Sequence, residues 1–192
     1  MDLLNAYKES HIKAETGKLL IAEPYLADPA FARTVVFLCG HGPDGAIGFI
    51  LNRLSENTVD LLLPEAGLPA LPVYVGGPVQ ADTLHMLHRI PERLGGTEII
   101  PGVFWGGSYE ALAGLRREPA GGEEQVRLFT GYAGWGEGQL EEELKRQSWI
   151  VAHTRQELIF ETAPKDIWAG ALQSLGADFT YLTRLPPHPQ LN

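Results

Sequence analysis

Two side chains in this sequence, Arg53 and His88, could bind an anion or transfer a proton. Arg53 follows Asn52 at the end of a predicted strand, where its planar guanidinium could hold a carboxylate or a phosphate. It could equally pair with Asp28 or with a glutamate of a predicted helix, and this pairing is favoured because most such ion pairs are structural. His88 follows His85 by three residues, so on a strand the two rings point to opposite faces and cannot share a metal ion.

Motifs of nucleophilic or metal-dependent enzymes are absent from the sequence. It contains neither an HExxH motif nor paired cysteines, which argues against a zinc site. There is no G-x-S-x-G motif, and Ser108 is better explained as the N-cap of a helix. The single cysteine, Cys39, lies in an apolar run that predicts a buried, inert thiol. We therefore expect no catalytic residue, no metal and no cofactor. An enzyme, with Arg53 and His88 as its candidates, is the less favoured alternative.

The most unusual stretch is GYAGWGEGQLEEELKRQSW, from Gly131 to Trp149, in which four glycines fall within eight residues. Glycine loses more backbone freedom on folding than any other residue, so such a cluster indicates positive φ angles or close contact with a second backbone. Tyr132 and Trp135 lie between the glycines, and a loop here would leave Trp135 available to contact a ligand. After Gly138 the apolar spacing becomes helical.

This stretch matches a phosphate-binding loop poorly. A loop before a helix N-terminus does favour anions. However, the Lys and Ser/Thr of a P-loop are missing, and the helix start is crowded by Glu137, Glu141, Glu142 and Glu143. A structural or shape-recognising role is therefore favoured over a phosphate cradle. Glu141 and Glu143 do not form a catalytic pair either, because positions two apart on a helix diverge by about 200°.

Short strands joined by tight turns, with single helices between them, dominate the predicted secondary structure. The turn GHGPDG at 40–45 joins two strands into an antiparallel hairpin. Helices are predicted from Tyr109 after the Ser108 cap, after Gly138, and from a Thr162 cap to Gly176. The predicted strands are 18–23, 34–39, 46–52, 73–75, 83–90, 103–105 and 126–130, with 149–152 and 158–160 as further candidates. This arrangement favours an α+β fold over a regular βαβ alternation.

The composition is that of a globular protein and argues against several kinds of partner. The 192 residues carry a formal net charge of −9, and 44% of them are hydrophobic. This charge repels nucleic acids and anionic membranes, and the basic residues form no stripe that could neutralise a phosphate backbone. The sequence has no apolar segment of membrane-spanning length and no signal peptide, so we expect a cytoplasmic protein that does not bind membranes.

Four segments together resemble the AlgH-like family, small bacterial proteins that are uncharacterised and often labelled transcriptional regulators. They are GKLLIAEPYLADPAF at 17–31, GAIGFILNR at 45–53, VYVGGPV at 73–79 and GYAGWGEGQLEEE at 131–143. The resemblance implies an α+β fold with a mixed, largely antiparallel bifurcated sheet, part of it closed into a small barrel and surrounded by helices. It implies an N-terminal extension (1–16), a single AlgH-like domain (17–181) and a Pro-rich C-terminal tail (182–192).

The matched positions suggest a cleft at which loops 28–31, 52–53, 76–78 and 131–139 converge. We expect a small ligand or a protein segment to bind there. The candidate ligand-binding residues are Asp28, Phe31, Asn52, Arg53, Gly76, Gly77, Pro78, Tyr132, Trp135 and Gln139. The chain departs from the family pattern at Leu54, where proline is usual, and at 81–88, where ADTLHMLH replaces a run with arginine and glycine. A transcriptional regulator is the alternative, although the charge argues against direct DNA binding.

Overall fold

A computed structural model describes residues 12–115 and 122–186. The strands in these residues are β1 (Lys18–Ala22), β2 (Val35–Gly42), β3 (Gly45–Ile50), β4 (Leu54–Thr58), β5 (Pro72–Val75), β6 (Val79–His88), β7 (Thr97–Ile100), β8 (Val103–Trp105), β9 (Val126–Trp135) and β10 (Trp149–His153). The helices are α1 (Val59–Leu62), α2 (Pro91–Leu94), α3 (Tyr109–Gly114), α4 (Gly122–Gln125), α5 (Gln139–Lys145), α6 (Gln156–Phe160), α7 (Pro164–Gln173) and α8 (Ala177–Thr180), with 3₁₀ turns at Pro64–Ala66 and Tyr181–Arg184. The α+β prediction is confirmed.

The sheet branches at the long strand β9. The main path runs β10-β1-β2-β3-β9-β6-β8-β7. The C-terminal half of β9 pairs antiparallel with β3, whereas its N-terminal half pairs in parallel with β5, which in turn pairs with β4. The mixed, largely antiparallel and bifurcated sheet is therefore confirmed. The small closed barrel is not, because no pairing in the described part of the chain joins the ends of this path.

Glycines allow the backbones to approach each other where the sheet branches. A Cβ atom on Gly76 would lie 2.4 Å from the carbonyl oxygen of Gly131, and one on Gly77 would lie 2.2 Å from the carbonyl of Tyr132. Gly131 itself has φ +62° and faces the carbonyl oxygen of Gly77. No larger residue fits at such distances, so the glycine-rich segments are required by the branching of the sheet.

Three apolar clusters cover the faces of the sheet. The largest is packed beneath α6 and α7, where Trp168 also donates its indole N–H to the carbonyl of Ala22 at 3.0 Å. A second contains Trp135, Leu140 and Trp149 and lies beneath α5. The third packs α1, α2 and α3 against β5, β6 and β9. The face beneath α5 is the one that matters for the candidate site.

Several local predictions are confirmed. Ser108 is the N-cap of α3, and its hydroxyl oxygen accepts a hydrogen bond from the backbone N–H of Ala111 at 3.1 Å. Cys39 is buried, and burial raises the pKa of its thiol well above the usual value. No helix in residues 12–115 and 122–186 is long and apolar enough to cross a membrane.

Three local predictions are wrong. Residues 158–160, predicted as a strand, belong to α6, because a short apolar run does not by itself distinguish a buried strand from a buried helix. Thr162 does not cap α7. The N-cap is Ala163, and the Thr162 hydroxyl donates instead to the carbonyl of Glu157 at 2.8 Å. The first half of the glycine-rich stretch is not a loop but the end of β9. Residues 1–11 of the N-terminal extension and 187–192 of the tail lie outside the described residues.

Candidate functional site

A groove of about 600 Å³ lies between the β2–β3 hairpin and the C-terminal half of β9. Much of its lining is glycine, at positions 40, 42, 45 and 134. Gly45 has φ +129°, and a Cβ atom there would lie 2.1 Å from the carbonyl oxygen of Trp135. The hairpin therefore lies directly on β9, and the glycines leave room above the strands for another molecule.

Larger side chains line the rest of this groove. Tyr132 and Val79 come from the paired strands β9 and β6. His41 and Asp44 come from the β2–β3 hairpin. Tyr132 is half-buried and makes an edge-on contact with the ring of His85, with ring centroids 5.8 Å apart. The groove thus has a floor of glycines, and an aromatic ring, an imidazole and a carboxylate surround that floor.

Trp135 is held in place by a carboxylate on the neighbouring helix. Its indole N–H donates to Glu143 Oε2 at 2.8 Å, and the indole N–H of Trp149 donates to the same oxygen at 2.8 Å. Gln139 Nε2 donates to Glu143 Oε1 at 3.0 Å, and Gln139 Oε1 accepts from the N–H of Gly136 at 3.0 Å. These bonds connect α5 to β9 and β10, so the wall of the groove is rigidly supported.

Phe31 completes the packing around Trp135. Its ring stacks on Trp135 with centroids 6.2 Å apart and meets Trp149 edge-on at 5.5 Å. The exposed fraction of Trp135 is only 6%. Trp135 is therefore not left open by a loop, as the sequence suggested, and little more than its edge is available to a ligand.

A hydrogen bond between His41 and Glu141 separates this groove from a second one. His41 Nε2 donates to Glu141 Oε1 at 2.9 Å. The second groove, of about 460 Å³, is lined by both residues together with Lys13, Lys145 and Trp149. The pKa of Glu141 is lowered, first by a hydrogen bond from its own backbone N–H and then by His41. Glu141 is accordingly ionised at neutral pH and orients the imidazole ring.

Asn52 and Asp28 have structural roles in this arrangement. Asn52 Oδ1 accepts from the N–H of Val35 at 2.9 Å, and its Nδ2 donates to the carbonyl of Arg33 at 2.8 Å. Asp28 Oδ1 accepts from the N–H of Ala30 at 2.8 Å and closes a turn. Both side chains therefore form hydrogen bonds with backbone groups of the 28–35 segment and stabilise its conformation.

Arg53 lies beside both the 28–31 turn and the double glycine. Its Nη2 donates to the carbonyl of Pro29 at 2.6 Å, while its own carbonyl accepts from the N–H of Val75. This contact is with a backbone oxygen, not with the carboxylate of Asp28 that the sequence suggested. It agrees with the favoured interpretation of Arg53 as a residue that holds two loops together.

The structure brings the ten candidate residues into one region but not into one groove. Gly76 and Gly77 contact β9, and Phe31 contacts Trp135. Among the ten, Tyr132 and Trp135 line the 600 Å³ groove. Pro78 is exposed beside it, and Gln139 lies behind Trp135 in the Glu143 network. The other candidates do not line the groove but contact the segments around it.

His41, Asp44 and Glu143 are not among the ten site candidates predicted from the sequence. His41 and Asp44 lie in a segment recognised only as a hairpin turn, although the pair of polar residues in GHGPDG was a usable signal. Glu143 enters the sequence interpretation as a carboxylate that disfavours an anion at the helix start and as a poor catalytic partner of Glu141, and not as a hydrogen-bond acceptor. Its partners Trp135 and Trp149 stand eight residues before it and six after it in the sequence, and no simple helical spacing predicts their convergence.

The histidines of β6 are on opposite faces, as predicted. His85 packs among Phe49, Trp105 and Tyr132, and its Nε2 lies 2.9 Å from the hydroxyl of Thr83. His88 is completely buried and stacks on Phe104 on the other side of the strand. Burial lowers the pKa of both rings, so both are neutral at physiological pH.

A further groove lies at the start of α7, away from the glycine-rich segments. Its volume is about 570 Å³, and its lining includes Tyr74, Arg127 and Thr162. Arg127 is buried, stacks over the ring of Tyr74 at 4.6 Å and donates to the carbonyl of Thr162 at 3.2 Å. None of the ten candidate residues lines this groove.

Comparison with known proteins shows one consistent set of relatives. The family model described as AlgH-like matches residues 19–180. A UPF0301 protein of Chlorobaculum tepidum is 40% identical over 177 residues, which cover 92% of this chain and 95% of the relative. A UPF0301 protein of Cytophaga hutchinsonii is 40% identical over 178 residues, covering 92% and 98% of the two chains.

Two solved structures share the fold. The solution structure of the AlgH protein from Pseudomonas aeruginosa has a TM-score of 0.69 at 31% identity and covers 92% of this chain and 100% of that protein. The crystal structure of a protein from Corynebacterium diphtheriae has a TM-score of 0.74 at 20% identity, with coverage of 89% and 92%. The second likeness concerns the fold alone.

Proposed function

The chain belongs to the AlgH-like family, and we propose that it is a binding domain that takes up a small ligand or a protein segment in the groove between the β2–β3 hairpin and β9. The observation that carries this proposal is the shape of the groove. Its floor is made of glycines, and its walls carry Tyr132, His41 and Asp44. Concave sites with a few convergent polar groups beside apolar surface are typical of ligand-binding proteins.

Rigid support of the groove favours binding. The bonds from Trp135 and Trp149 to Glu143 fix one wall, and the contact of Gly45 with Trp135 fixes the hairpin. A preformed site loses less conformational entropy when a ligand enters than a mobile one does. In this proposal Tyr132 and the edge of Trp135 contact the ligand, while Asp28, Asn52 and Arg53 position the surrounding segments.

The charge of the groove favours a neutral or cationic ligand. Asp44 lines it, and the ionised Glu141 lies at its border with the second groove. No lysine or arginine is part of its described lining. An amine or a guanidinium could lie over the face of Tyr132 and near Asp44, an arrangement in which both aromatic and carboxylate groups stabilise a cation.

A regulatory role would then act through the bound molecule. The net charge of −9 opposes contact with a phosphate backbone. We therefore propose that any regulatory effect results from the binding of a ligand or a protein segment, and not from direct recognition of DNA. Arg53 and His88 do not converge on a common substrate position, since Arg53 binds the carbonyl of Pro29 and His88 is buried and stacks on Phe104 of β8. An enzyme therefore remains the less favoured alternative.

A thermal-shift screen with amines, nucleotides and sugar phosphates tests this proposal. A ligand that binds only the folded protein raises its unfolding temperature once its concentration exceeds the dissociation constant. We expect the shift to disappear in Tyr132→Ala and to weaken in Asp44→Asn. Tyr25→Ala, which changes an exposed tyrosine outside the groove, is the matched control and should keep the full shift. A ligand whose shift survives both groove variants would place binding elsewhere.

A further inference from the structure

Exposed hydrophobic side chains are concentrated at one edge of the sheet. Of the seven large hydrophobic residues that are exposed in the part of the chain that the structure describes, five lie between positions 54 and 75. They are Leu54 at the start of β4, Leu61 and Leu62 in α1, Leu63 directly after it, and Val75 at the end of β5. The exposed fractions of Leu54 and Leu61 are 55% and 68%. Single exposed hydrophobic residues are normal on a protein surface, whereas a cluster of them indicates an interaction site.

β4 is an open edge of the branched sheet. It pairs with β5, and no other described strand pairs with its second side. Leu54 lies opposite Tyr74, and the N–H of Val75 donates to the carbonyl of Arg53 at 2.8 Å. Consecutive residues of an antiparallel strand direct their backbone groups to alternate sides, so the N–H and C=O of Leu54 point away from β5. A strand from another molecule could pair with these two groups.

Exposed leucines lie at both ends of this edge. Leu54 begins β4, and Leu61, Leu62 and Leu63 follow its end at Thr58. These four leucines are called the leucine surface below. The extended chain from Leu54 to Thr58 spans roughly 13 Å, so an extended segment reaches both ends. A register shift between Leu54 and Thr58 interrupts the pairing with β5, and backbone pairing on the open side is therefore expected at the start of β4.

The charge along the leucine surface is negative. Glu56, Asp60 and Glu65 lie along it, and none of the three forms an ion pair within the described residues. The sequence contains no lysine or arginine from position 54 to position 88. Arg53, which directly precedes this stretch, donates to a backbone carbonyl of another loop. A second copy of the chain would bring the same carboxylates together, so a partner with basic side chains is favoured over a dimer.

We propose that the edge of β4 and the leucine surface bind an extended segment of a partner protein that carries apolar and basic side chains. Leu54 and Glu56 are both exposed and stand two positions apart on one strand, so they point to the same face. The bound segment accordingly presents an apolar and a basic side chain on one face. Its backbone pairs with Leu54, and its further apolar side chains cover the leucines after β4.

This site is separate from the groove between the β2–β3 hairpin and β9. β5, to which β4 is attached, pairs with the N-terminal half of β9 from Leu128 to Thr130. The groove is lined by Tyr132, Gly134 and Trp135 of the C-terminal half. The two sites can therefore be disrupted one at a time.

Fluorescence anisotropy of the full chain with labelled synthetic peptides tests this proposal. The peptide Leu-Thr-Lys-Thr-Leu-Thr-Lys-Thr-Leu presents leucine and lysine on one face of an extended strand, and the comparison peptide has glutamate in place of lysine. We expect the lysine peptide to bind at least about tenfold more tightly than the glutamate peptide, and added salt to weaken its binding. Equal affinities of the two peptides, or no binding of the lysine peptide, would overturn the proposal.

Substitutions in the leucine surface locate the binding. Leu61→Ser changes a mostly exposed side chain, so the fold should be kept while the affinity for the lysine peptide falls about tenfold or more. Leu54→Pro removes the N–H that faces the open edge without loss of a bond to β5, and it should weaken binding in the same way. Full affinity in Leu61→Ser would contradict the proposal. If Tyr132→Ala removes binding instead, the peptide occupies the groove and the proposal is wrong.

Two further measurements test the charge and the kind of partner. Glu56→Lys should weaken binding of the lysine peptide several-fold, whereas Glu137→Lys makes the same change of net charge at an exposed residue after β9 and should not. Equal effects of the two substitutions would contradict a local role of the acidic residues. Sedimentation equilibrium follows self-association of the parent chain. A dimer that dissociates in Leu61→Ser would show that a second copy covers the leucine surface, and it would overturn the proposal.

Discussion

Trp135 and Trp149 share one hydrogen-bond acceptor, because both indole N–H groups donate to Glu143 Oε2 at 2.8 Å. The two rings also meet edge-on, with centroids 5.8 Å apart. One carboxylate on a short helix thereby joins the end of β9 to the start of β10. The wall of the candidate groove depends on this arrangement.

Removal of the Glu143 carboxylate should destabilise the protein. Glu143→Ala leaves two partly buried indole N–H groups and the Gln139 amide without their acceptor, at a cost of about 1–3 kcal/mol in the free energy of unfolding. Urea denaturation measures this loss. Glu142→Ala is the control, because Glu142 is an exposed neighbour that pairs with Lys145 on the surface, and it should unfold almost as the parent does. Equal effects of the two substitutions would show that the shared acceptor contributes nothing.

Alanine should be tolerated at one glycine of the glycine-rich stretch and not at another. At Gly131 a Cβ atom would lie 2.7 Å from the carbonyl oxygen of Gly77 and would also require a residue at φ +62°, so Gly131→Ala should cost more than about 1 kcal/mol. At Gly136 the nearest atom is Gln139 Oε1 at 4.0 Å and φ is not positive, so Gly136→Ala should be close to neutral. Thermal unfolding of the two variants compares them directly. A neutral Gly131→Ala would mean that the close approach of the strands is not required.

Stability should fall as the pH drops from about 7.5 to about 5.5. Burial lowers the pKa of His85 and of His88 in the folded state, so in this window the unfolded chain binds more protons than the folded one. Stability then rises with pH across the window and is lost as the pH falls through the unfolded-state pKa of about 6.5. Urea unfolding at the two pH values measures the difference. A chain that is more stable at the lower pH would contradict the burial of neutral histidines.

Arg53→Met should lower the free energy of unfolding and leave the affinity for a ligand almost unchanged. The substitution keeps the aliphatic part of the side chain but removes the donor to the carbonyl of Pro29, at a cost of about 0.5–1.5 kcal/mol. Arg155→Met, at an exposed arginine near α6, is the matched control. Affinity for a ligand found in the screen should stay close to that of the parent. Unchanged stability together with lost binding would instead make Arg53 a ligand contact.

The sequence predicted local features well where a single residue type imposes a geometry. Ser108 identified the start of α3, and the glycine cluster predicted a positive φ or a close second backbone, both of which occur at Gly131. The branching of the sheet came from the family resemblance, since no local pattern reveals that β9 pairs with both β3 and β5. Residues 158–160 were predicted as a strand although they belong to α6, because a three-residue apolar run has no measurable periodicity.

The candidate site was harder to predict because its contacts are distant in sequence. His41 and Glu141 are 100 residues apart, and only the packing of α5 near the β2–β3 hairpin brings them together. Trp135 was expected in an open loop and instead lies at the end of a strand, where Phe31 and Trp149 cover it. The position of the concave surface among these segments depends on side-chain sizes in three dimensions, which no local pattern in the sequence reveals.

The most direct test of the binding proposal is a nuclear magnetic resonance titration of the isotopically labelled protein with the strongest ligand from the screen. We expect the largest shift changes at the backbone amides of His41, Asp44, Tyr132 and Gly134, which line the groove between the β2–β3 hairpin and β9. Changes confined to the surroundings of Arg127 and Thr162, in the groove at the start of α7, would contradict this account and move the binding site to the opposite end of β9.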